Sequence, residues 1–476
     1  MNIKLISRAL GVVLCCEAVA MLPSLGLSWA EQGSDKTAFM ASIAITSMAG
    51  SALLLTKPRT MQVGYKEGFI VATLAWLILS VFGALPFYLS GATPHLVDAL
   101  FESISGFTTT GASVIVDVET LPQGILFWRS FTHWLGGMGI IVLTLALMPS
   151  LNVAGFRMFK AEVPGPTKSK VLPKVAQTAR ELYKVYLIFT LAQIVLLKLA
   201  GMSWFDSFIH TFGTVGTGGF SSRNASIAAY DSVAVELIIV FFMILCGISF
   251  TIHFSLLRGK FRTFYKDPET KVYLSIIAAS VGFVTINLMN DAGYDLAKAL
   301  RQALFHVSAV ISSTGFLAED IHQWPDFSRY LLVLLMLTGA CSGSTACGIK
   351  VIRIIIIFKS LSNQMARLTH PQAVIPVRLG NTVIPQEVVT TVQNFFVLFI
   401  ASMVFAIGLL VAMGVEGNTA IAVVASSISC LGVVDSSTTL VNLPAAAKLV
   451  LTFCMFIGRL ELFTVLVVLN IKFWRK

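Results

Sequence analysis

The sequence has few charged residues. Only 12% of its 476 residues are Asp, Glu, Lys or Arg, whereas 56% are hydrophobic and the mean hydropathy is +0.82. A soluble protein of average composition has about 25% charged residues, so this chain lacks the polar side chains needed to cover a water-facing surface. The composition excludes a soluble globular protein and predicts one polytopic membrane body instead of several soluble domains.

The sequence also lacks the cysteine pairs and polar motifs of several other classes. Its seven cysteines form no CxxC motif and mostly lie in apolar runs, which excludes a disulfide framework or a common zinc module. No basic patch is interleaved with aromatic residues, so the net charge of +10 does not predict nucleic-acid binding. No Ser/His/Asp or paired-carboxylate arrangement indicates an enzyme.

Long apolar runs predict ten membrane spans. The first follows Lys4 and Arg8 and so resembles a signal peptide, but about 20 apolar residues are enough to span a bilayer, and we expect it to be retained. Basic and acidic connections alternate along the chain, and the basic ones are expected to face the cytoplasm. The predicted spans are 9–30, 38–55, 69–90, 124–149, 183–201, 233–257, 272–289, 328–358, 389–414 and 445–471.

Four polar stretches between the spans are too short to cross and return as full helices, which predicts re-entrant loops. Each reads as a short helix, a Ser/Thr-rich strip and a glycine, and these glycines are Gly111, Gly219, Gly315 and Gly432. Nine residues before each glycine stand, in order, Glu102, His210, His306 and Val423. His210 and His306 are interpreted as structural histidines, with pH sensing as the alternative.

The four loops form an internal repeat of about 100 residues. Each interval holds two predicted spans, so every copy enters the membrane from the same side and the copies surround an axis along the membrane normal. A cation in such a central pore exchanges its hydration shell for backbone carbonyls, and glycine allows the positive φ that turns carbonyls inward. A glycine of this kind is alternatively a packing notch, but four in register favour a filter.

With these motifs the sequence resembles, over essentially its whole length, the membrane subunits of the Trk/Ktr/HKT superfamily of potassium transporters, and in particular the bacterial TrkH/TrkG group. The matching strings are Thr-Thr-Thr-Gly111-Ala-Ser, Gly-Gly219-Phe-Ser, Ser-Thr-Gly315-Phe, Cys341-Ser-Gly-Ser-Thr, Gly348-Ile-Lys-Val-Ile-Arg353 and Gly458-Arg-Leu-Glu461.

The resemblance implies an all-α polytopic membrane protein with four membrane-pore-membrane repeats around a pseudo-fourfold pore, after two extra N-terminal helices. The boundaries expected are 1–60 for those helices and 61–156, 157–263, 264–380 and 381–476 for the repeats. The resemblance further implies that potassium is the transported ion and that this chain holds no cofactor. It implies a homodimer surrounded by lipid in the bacterial inner membrane, with a cytosolic TrkA-like nucleotide-binding regulatory subunit as partner.

The resemblance also assigns a selectivity filter. Its potassium ligands would be backbone carbonyls of Thr110, Gly111, Gly218, Gly219, Thr314, Gly315, Leu431 and Gly432, with Thr109 beside them. The fourth loop departs from the family, which usually reads close to Asn-Asn-x-Gly-Pro-Gly where this chain has Ser429-Cys-Leu-Gly432-Val-Val-Asp435. In related plant transporters a serine in place of the first filter glycine accompanies sodium permeation, so Gly111 favours potassium.

A gate is expected below the filter. Poor helix formers from Gly339 through Gly343 to Gly348 interrupt the run 328–358, which predicts an unwound intramembrane loop, or alternatively a tilted helix with a small-residue face. Arg459 lies deep in the last span, where a charge usually faces a cavity or a partner. We expect it to hydrogen-bond carbonyls of that loop and repel cations; a structural arginine tying helices together is the alternative.

Three functions are therefore open at the level of sequence. The leading hypothesis is a channel-like potassium uptake pore gated by a cytosolic partner. The second is a secondary potassium symporter coupled to sodium or protons. The third, and least supported, is a membrane-embedded enzyme that uses its histidines.

Overall fold

A computed structural model describes residues 1–58, 64–151, 171–373, 375–380, 382–432 and 440–474, of which residues 65, 140–151, 171–176, 471 and 472 are described by their backbone alone. The expected repeat boundaries at 60/61 and 156/157, and residues 433–435 of the fourth loop, lie outside these ranges. The described chain is a polytopic helical membrane protein, which confirms the fold class.

The first helices are α1 (Ile3–Ala20), α2 (Leu22–Ala30) and α3 (Lys36–Leu54), followed in the first repeat by α4 (Tyr65–Gly83), α5 (Leu85–Leu89), α6 (Leu96–Phe107) and α7 (Gln123–Leu151). The second repeat contains α8 (Val171–Leu199), α9 (Trp204–Val215), α10 (Val233–Gly247), α11 (Phe250–Leu257) and α12 (Phe261–Lys266). A 3₁₀ turn covers Ser226–Tyr230.

The third repeat contains α13 (Pro268–Asp291), α14 (Leu296–Ile311), α15 (Asp326–Thr338) and α16 (Val351–Thr369), with a 3₁₀ turn at Ile321–Gln323. A short antiparallel pair, β1 (Arg378–Leu379) and β2 (Thr382–Val383), leads to the fourth repeat. That repeat contains α17 (Gln386–Ala412), α18 (Gly417–Ile428), α19 (Ala445–Arg459), α20 (Leu462–Leu469) and α21 (Ile471–Trp474).

The distribution of polar and apolar side chains is that of a membrane protein. Large apolar side chains such as Leu191, Val397 and Phe405 are exposed on the outer helices, whereas many Ser, Thr, His and charged side chains are buried. Within the described residues, six helical segments are long and apolar enough to cross a bilayer, and the number is eight if each of two bent helix pairs counts as one span. Lipid requires helical backbone on the outside and tolerates irregular backbone only where protein surrounds it.

The continuous spans expected at 233–257 and 445–471 are wrong. The axis bends by 100° between α10 and α11 and by 112° between α19 and α20. In the third repeat, residues 339–350 separate α15 from α16, where the poor helix formers predict an interruption. The second span is therefore broken in three repeats, whereas α7 of the first repeat is a single helix.

Glycines lie close to two of these breaks. A Cβ at Gly247 would overlap the hydroxyl of Tyr273, and a Cβ at Gly458 would overlap the carbonyl oxygen of Ile428 at the end of α18. A Cβ at Gly137 of the unbroken α7 would meet the Tyr186 hydroxyl at 2.6 Å. All three glycines thus serve close packing.

Candidate functional site

Four short helices converge in the centre of the protein. These pore helices, α6, α9, α14 and α18, each end four residues before one of the glycines of the repeat. Two begin with side-chain caps: Ser203 accepts from the amide of Asp206, and Asp295 accepts from the amides of Ala297 and Lys298. Their C-terminal ends, which carry partial negative charge, face the glycine segments.

The same backbone motif ends all four pore helices. In the first repeat, the amide of Thr109 donates to Gly106 O and the amide of Thr110 donates to Ser105 O, as in a Schellman cap. Equivalent pairs of bonds recur in the other three repeats. The cap requires positive φ two residues before each repeat glycine, and the residues with that backbone are Thr109 (53°), Thr217 (56°), Ser313 (58°) and Cys430 (51°).

The loops after the pore helices touch one another through their backbones. A Cβ at Gly111 would overlap Gly218 O of the second loop, and a Cβ at Gly219 would overlap Thr314 O of the third. A Cβ at Gly432 would overlap the carbonyl group of Gly111, so the first loop also meets the fourth. The residues assigned to a filter are therefore brought together, and glycine is required for this approach.

Three of the loops share one backbone geometry. Gly111, Gly219 and Gly315 have φ values of 80°, 81° and 74°. Within the described residues, no donor is hydrogen-bonded to the carbonyl oxygens of Thr110, Gly111, Gly218 or Gly219. These carbonyls are thus available to bind a cation. In the first and third loops, the hydroxyl pairs Thr108–Thr110 and Ser312–Thr314 are hydrogen-bonded at 2.8 Å and stabilise the backbone next to the glycine.

The fourth loop differs in two respects from the expectation. Gly432 is absent from the residues with positive φ, so conformational freedom does not explain this glycine, although close contact with Gly111 does. The carbonyl of Leu431 accepts a 2.6 Å hydrogen bond from Ser426 Oγ. The Leu431 carbonyl, expected to bind potassium, is therefore engaged within its own loop.

The two histidines of the pore helices have structural partners. His210 Nδ1 donates to Asp206 O at 2.8 Å, and its Nε2 accepts from Ser221 Oγ at 3.0 Å. His306 Nδ1 donates to Gln302 O at 3.0 Å and its ring packs on Trp324. Both rings are therefore held by backbone carbonyls of their own pore helices.

The segment 339–350 forms a loop held by backbone contacts, which we call the intramembrane loop. Gly339, Gly343 and Gly348 have positive φ, and a Cβ at Gly348 would lie 2.9 Å from the Cα of Gly339. The loop fills the break of the second repeat, because Cys341 N donates to Gly247 O and Phe250 N donates to Gly343 O, both at 3.0 Å. The two irregular segments therefore satisfy each other's backbone groups.

The intramembrane loop also reaches the end of a pore helix. Thr345 Oγ1 donates to Val215 O, the last residue of α9, at 3.2 Å. Arg459, at the end of α19, donates from Nη1 to Thr345 O at 2.6 Å and to Cys347 Sγ at 3.1 Å. Its Nη2 donates to Gly136 O of α7 at 3.0 Å.

Arg459 is 2% exposed and forms no ion pair within the described part of the chain. Glu461, two residues further on, pairs with Arg353 of α16 at 2.7 Å instead. Within the described residues, the positive charge of Arg459 meets two backbone carbonyls, a cysteine sulfur and the face of the Trp76 ring, 5.8 Å away, near the point where the intramembrane loop reaches the end of α9.

A carboxylate holds the loop from the opposite end. Glu269, in the first turn of α13, is buried, and its Oε1 accepts from Ser342 N at 2.6 Å and from Ile352 N at 3.1 Å. The first amide belongs to the loop and the second to the first turn of α16. Glu269 therefore joins the loop to the start of the helix that follows it.

Sequence reasoning overlooked Arg129 and His133, which lie on one face of α7. Arg129 pairs with Glu102 of α6, and His133 Nδ1 donates to Gly106 O at 2.8 Å while its Nε2 accepts from Phe220 N at 3.3 Å. Both stand inside the apolar run 124–149. An ionisable residue within a predicted span usually faces the protein interior, and that signal would have identified them.

The family model for TrkH cation transport proteins matches residues 35–475. Over 482 residues the chain is 37% identical to the Trk system potassium uptake protein TrkH of Halomonas elongata, with both chains fully covered. It is 32% identical to the Trk system potassium uptake protein TrkG of Escherichia coli, covering all of this chain and 99% of that one. The crystal structure of the potassium transporter TrkH from Vibrio parahaemolyticus matches with a TM-score of 0.93 at 33% identity over the full length of both chains. The chain therefore belongs to the TrkH family of cation transport proteins.

Proposed function

We propose that this protein takes up potassium through a selective, gated, channel-like pore across the bacterial inner membrane. Relatives that align over their full length are named as potassium uptake proteins. The observation that carries the proposal is the convergence of four pore helices in one register, each ending four residues before a repeat glycine. Four negative helix ends and a ring of backbone carbonyls suit a dehydrated monovalent cation.

In this proposal the filter is formed chiefly by the first three loops. Their glycines share positive φ and close backbone contact, which supports ligation by the carbonyls of Thr110, Gly111, Gly218, Gly219, Thr314 and Gly315. Thr109 contributes the strained backbone that ends the first pore helix. The fourth loop contributes Gly432 as a close-packed wall rather than a full set of carbonyls, because Leu431 O is already hydrogen-bonded to Ser426.

The intramembrane loop and Arg459 act as the gate. The loop contacts the C-terminal end of α9, and the guanidinium of Arg459 lies between the loop and α7. A buried positive charge on the ion path repels cations. We propose that this contact belongs to the closed state and that opening displaces the loop from Arg459.

The proposed assembly is a homodimer with a cytosolic nucleotide-binding regulatory subunit. An exposed basic segment supports such docking: Arg258, Lys260, Arg262 and Lys266 surround the short helix α12 on the side predicted to face the cytoplasm. A second basic stretch of the sequence, residues 157–184, lies partly outside the described residues. Anionic lipid is the competing ligand for such a surface.

Reconstitution into liposomes tests the function. Purified protein should catalyse saturable rubidium influx driven by the potassium gradient alone, with sodium excluded. Collapsing an imposed proton or sodium gradient should leave this influx unchanged. Influx that disappears when either gradient is collapsed would instead establish the symporter, and equal sodium and potassium permeability would contradict the selective pore.

A further inference from the structure

A buried ion pair lies directly behind the first two loops. Glu102 Oε1, on pore helix α6, accepts from Arg129 Nε of α7 at 2.5 Å. The Glu102 side chain is completely buried and that of Arg129 is 4% exposed. Charges in such surroundings persist only when they are paired and hydrogen-bonded. The pair is therefore a fixed element of the packing, unlike a solvent-exposed ion pair.

The carboxylate of this pair holds the first loop. Ser113 Oγ donates to both oxygens of Glu102 at 3.1 Å, and the amide of Val114 donates to Oε2 at 3.2 Å. Ser113 and Val114 follow Gly111 by two and three residues. Glu102 thus fixes the segment by which the first loop leaves its repeat glycine.

The guanidinium holds the second loop. Arg129 Nη1 donates to Ser221 O at 3.1 Å, and the guanidinium carbon lies 3.6 Å from the centre of the Phe220 ring. Such stacking of a cation on an aromatic face is attractive, more so when water is excluded. One turn further along α7, His133 stacks on the same ring at 4.1 Å and binds the Phe220 amide.

Among the described residues, the other three repeats show no equivalent ion pair at this position. In the second repeat, His210 occupies the position of Glu102 and contacts Ser221 Oγ, the counterpart of Ser113. His306 occupies it in the third repeat, and the apolar Val423 in the fourth. Among these four positions only the first is acidic, so the charged pair belongs to the contact between the first and second loops.

We propose that the Glu102–Arg129 pair is the specificity-determining brace of the ion path: it fixes the spacing of the first and second loops and thereby the preference for potassium over sodium. The inference rests on the proposed function. The two loops contact each other at Gly111 and Gly218, so a change in their relative position alters the carbonyl cage directly. A looser cage accommodates the smaller sodium ion.

The test replaces the pair by apolar side chains of similar volume. The double variant Glu102→Leu/Arg129→Met leaves no unpaired buried charge, and such replacements often preserve stability. We expect it to assemble, to conduct potassium and to lose selectivity, with the potassium-over-sodium permeability ratio in liposomes falling by about tenfold. Glu102→Gln is the second variant should the double one fail to assemble, and its ratio should fall as well.

A second ion pair, between Arg301 (29% exposed) and Glu236 (3% exposed), serves as the control. Arg301 of pore helix α14 pairs with Glu236 of α10 at 2.7 Å and 2.8 Å, and neither side chain bonds a loop segment among the described residues. Glu236→Leu/Arg301→Met should keep the wild-type ratio. A wild-type ratio in the assembled Glu102/Arg129 variant overturns the brace, as does an equal loss in the control. A wild-type protein without potassium preference overturns the proposed function itself.

Discussion

Arg459 Nη1 and the carbonyl oxygen of Thr345 are joined by a 2.6 Å hydrogen bond across 114 residues of sequence. The bond connects the end of α19 in the fourth repeat with the intramembrane loop of the third. Through Gly136 O, the same guanidinium also reaches the first repeat. Three of the four repeats therefore meet at one charged group, which makes Arg459 a site where a change in loop position changes the pore.

Replacing Arg459 by alanine should open the pathway. The substitution removes the charged hydrogen bonds to Thr345 O and Gly136 O, and a hydrogen bond to a charged group contributes roughly 1.5–3 kcal/mol. The loop is then released and the repelling charge is gone, so potassium influx without any cytosolic partner should rise by about tenfold or more.

Rubidium influx into liposomes measures this effect, with thermal unfolding as the check on folding. Arg459→Lys is the control, because lysine keeps the charge but cannot bond two carbonyls with a planar fork. It should give an intermediate influx. An alanine variant that folds and conducts at the wild-type rate would show that Arg459 only ties helices together.

Glu269 should act on the same loop from the other side. In Glu269→Ala, the amides of Ser342 and Ile352 lose the side-chain oxygen to which both donate, and two buried donors are left without that partner. The loop should be less firmly held, and influx without partner should increase by about tenfold.

Glu387 occupies the first turn of α17 in the next repeat and is exposed, so Glu387→Ala is a matched control that should conduct normally. Wild-type influx in Glu269→Ala would exclude this role.

The register of the site could be predicted from the sequence because its signals are local. A Ser/Thr strip and a glycine amid apolar runs indicate irregular backbone, and recurrence at about 100 residues gives the fourfold arrangement. Poor helix formers also predicted the interruption after Gly339. The left-handed residues two positions before each repeat glycine were not predicted, since Thr109 and Cys430 share no side-chain feature that demands this backbone.

The remaining features depend on distant parts of the chain. Glu461 has a φ of 60° at the break after α19, yet nothing in its neighbourhood of sequence signals a bend. Its partner Arg353 is 108 residues away. The same holds for Leu431. Its carbonyl oxygen accepts a hydrogen bond from Ser426 Oγ and is therefore not available as a filter ligand. Tertiary contacts decide such positions, and local propensity does not.

Serine substitutions should distinguish the first three repeat glycines from Gly432 by their effect on sodium permeability. Gly219→Ser places a Cβ on a residue with φ of 81°, which costs roughly 1–2 kcal/mol, and against Thr314 O. Sodium permeability should rise in Gly219→Ser, and it should rise to the same extent in Gly111→Ser and Gly315→Ser. Gly432→Ser should act through the contact of its Cβ with the backbone of Gly111 and Ala112, without the cost of a positive φ.

Gly414 supplies the control for backbone strain. Its φ is 87° and an added Cβ would meet nothing within 4 Å. Gly414→Ser should therefore destabilise the protein to a similar extent without admitting sodium. The measurement is the shift of reversal potential when external potassium is replaced by sodium; unchanged values in the four repeat variants contradict the filter.

The basic segment around α12 should recruit the cytosolic partner. Reversing Arg258, Lys260 and Lys266 to glutamate replaces three exposed positive charges, and rim charges act mainly on association rate and its salt dependence. Affinity for a purified nucleotide-binding regulatory subunit should fall by about tenfold at low salt, and less when added salt screens the surface. The potassium-over-sodium ratio should stay at its wild-type value because, among the described residues, Arg258, Lys260 and Lys266 form no hydrogen bond or ion pair with the loops after the pore helices. Reversal of Arg329, exposed at the start of α15 on the side predicted to face outward, is the control for charge alone. Undiminished partner binding in the triple variant, with the Arg329 control also unaffected, would assign the segment to lipid contact and membrane topology.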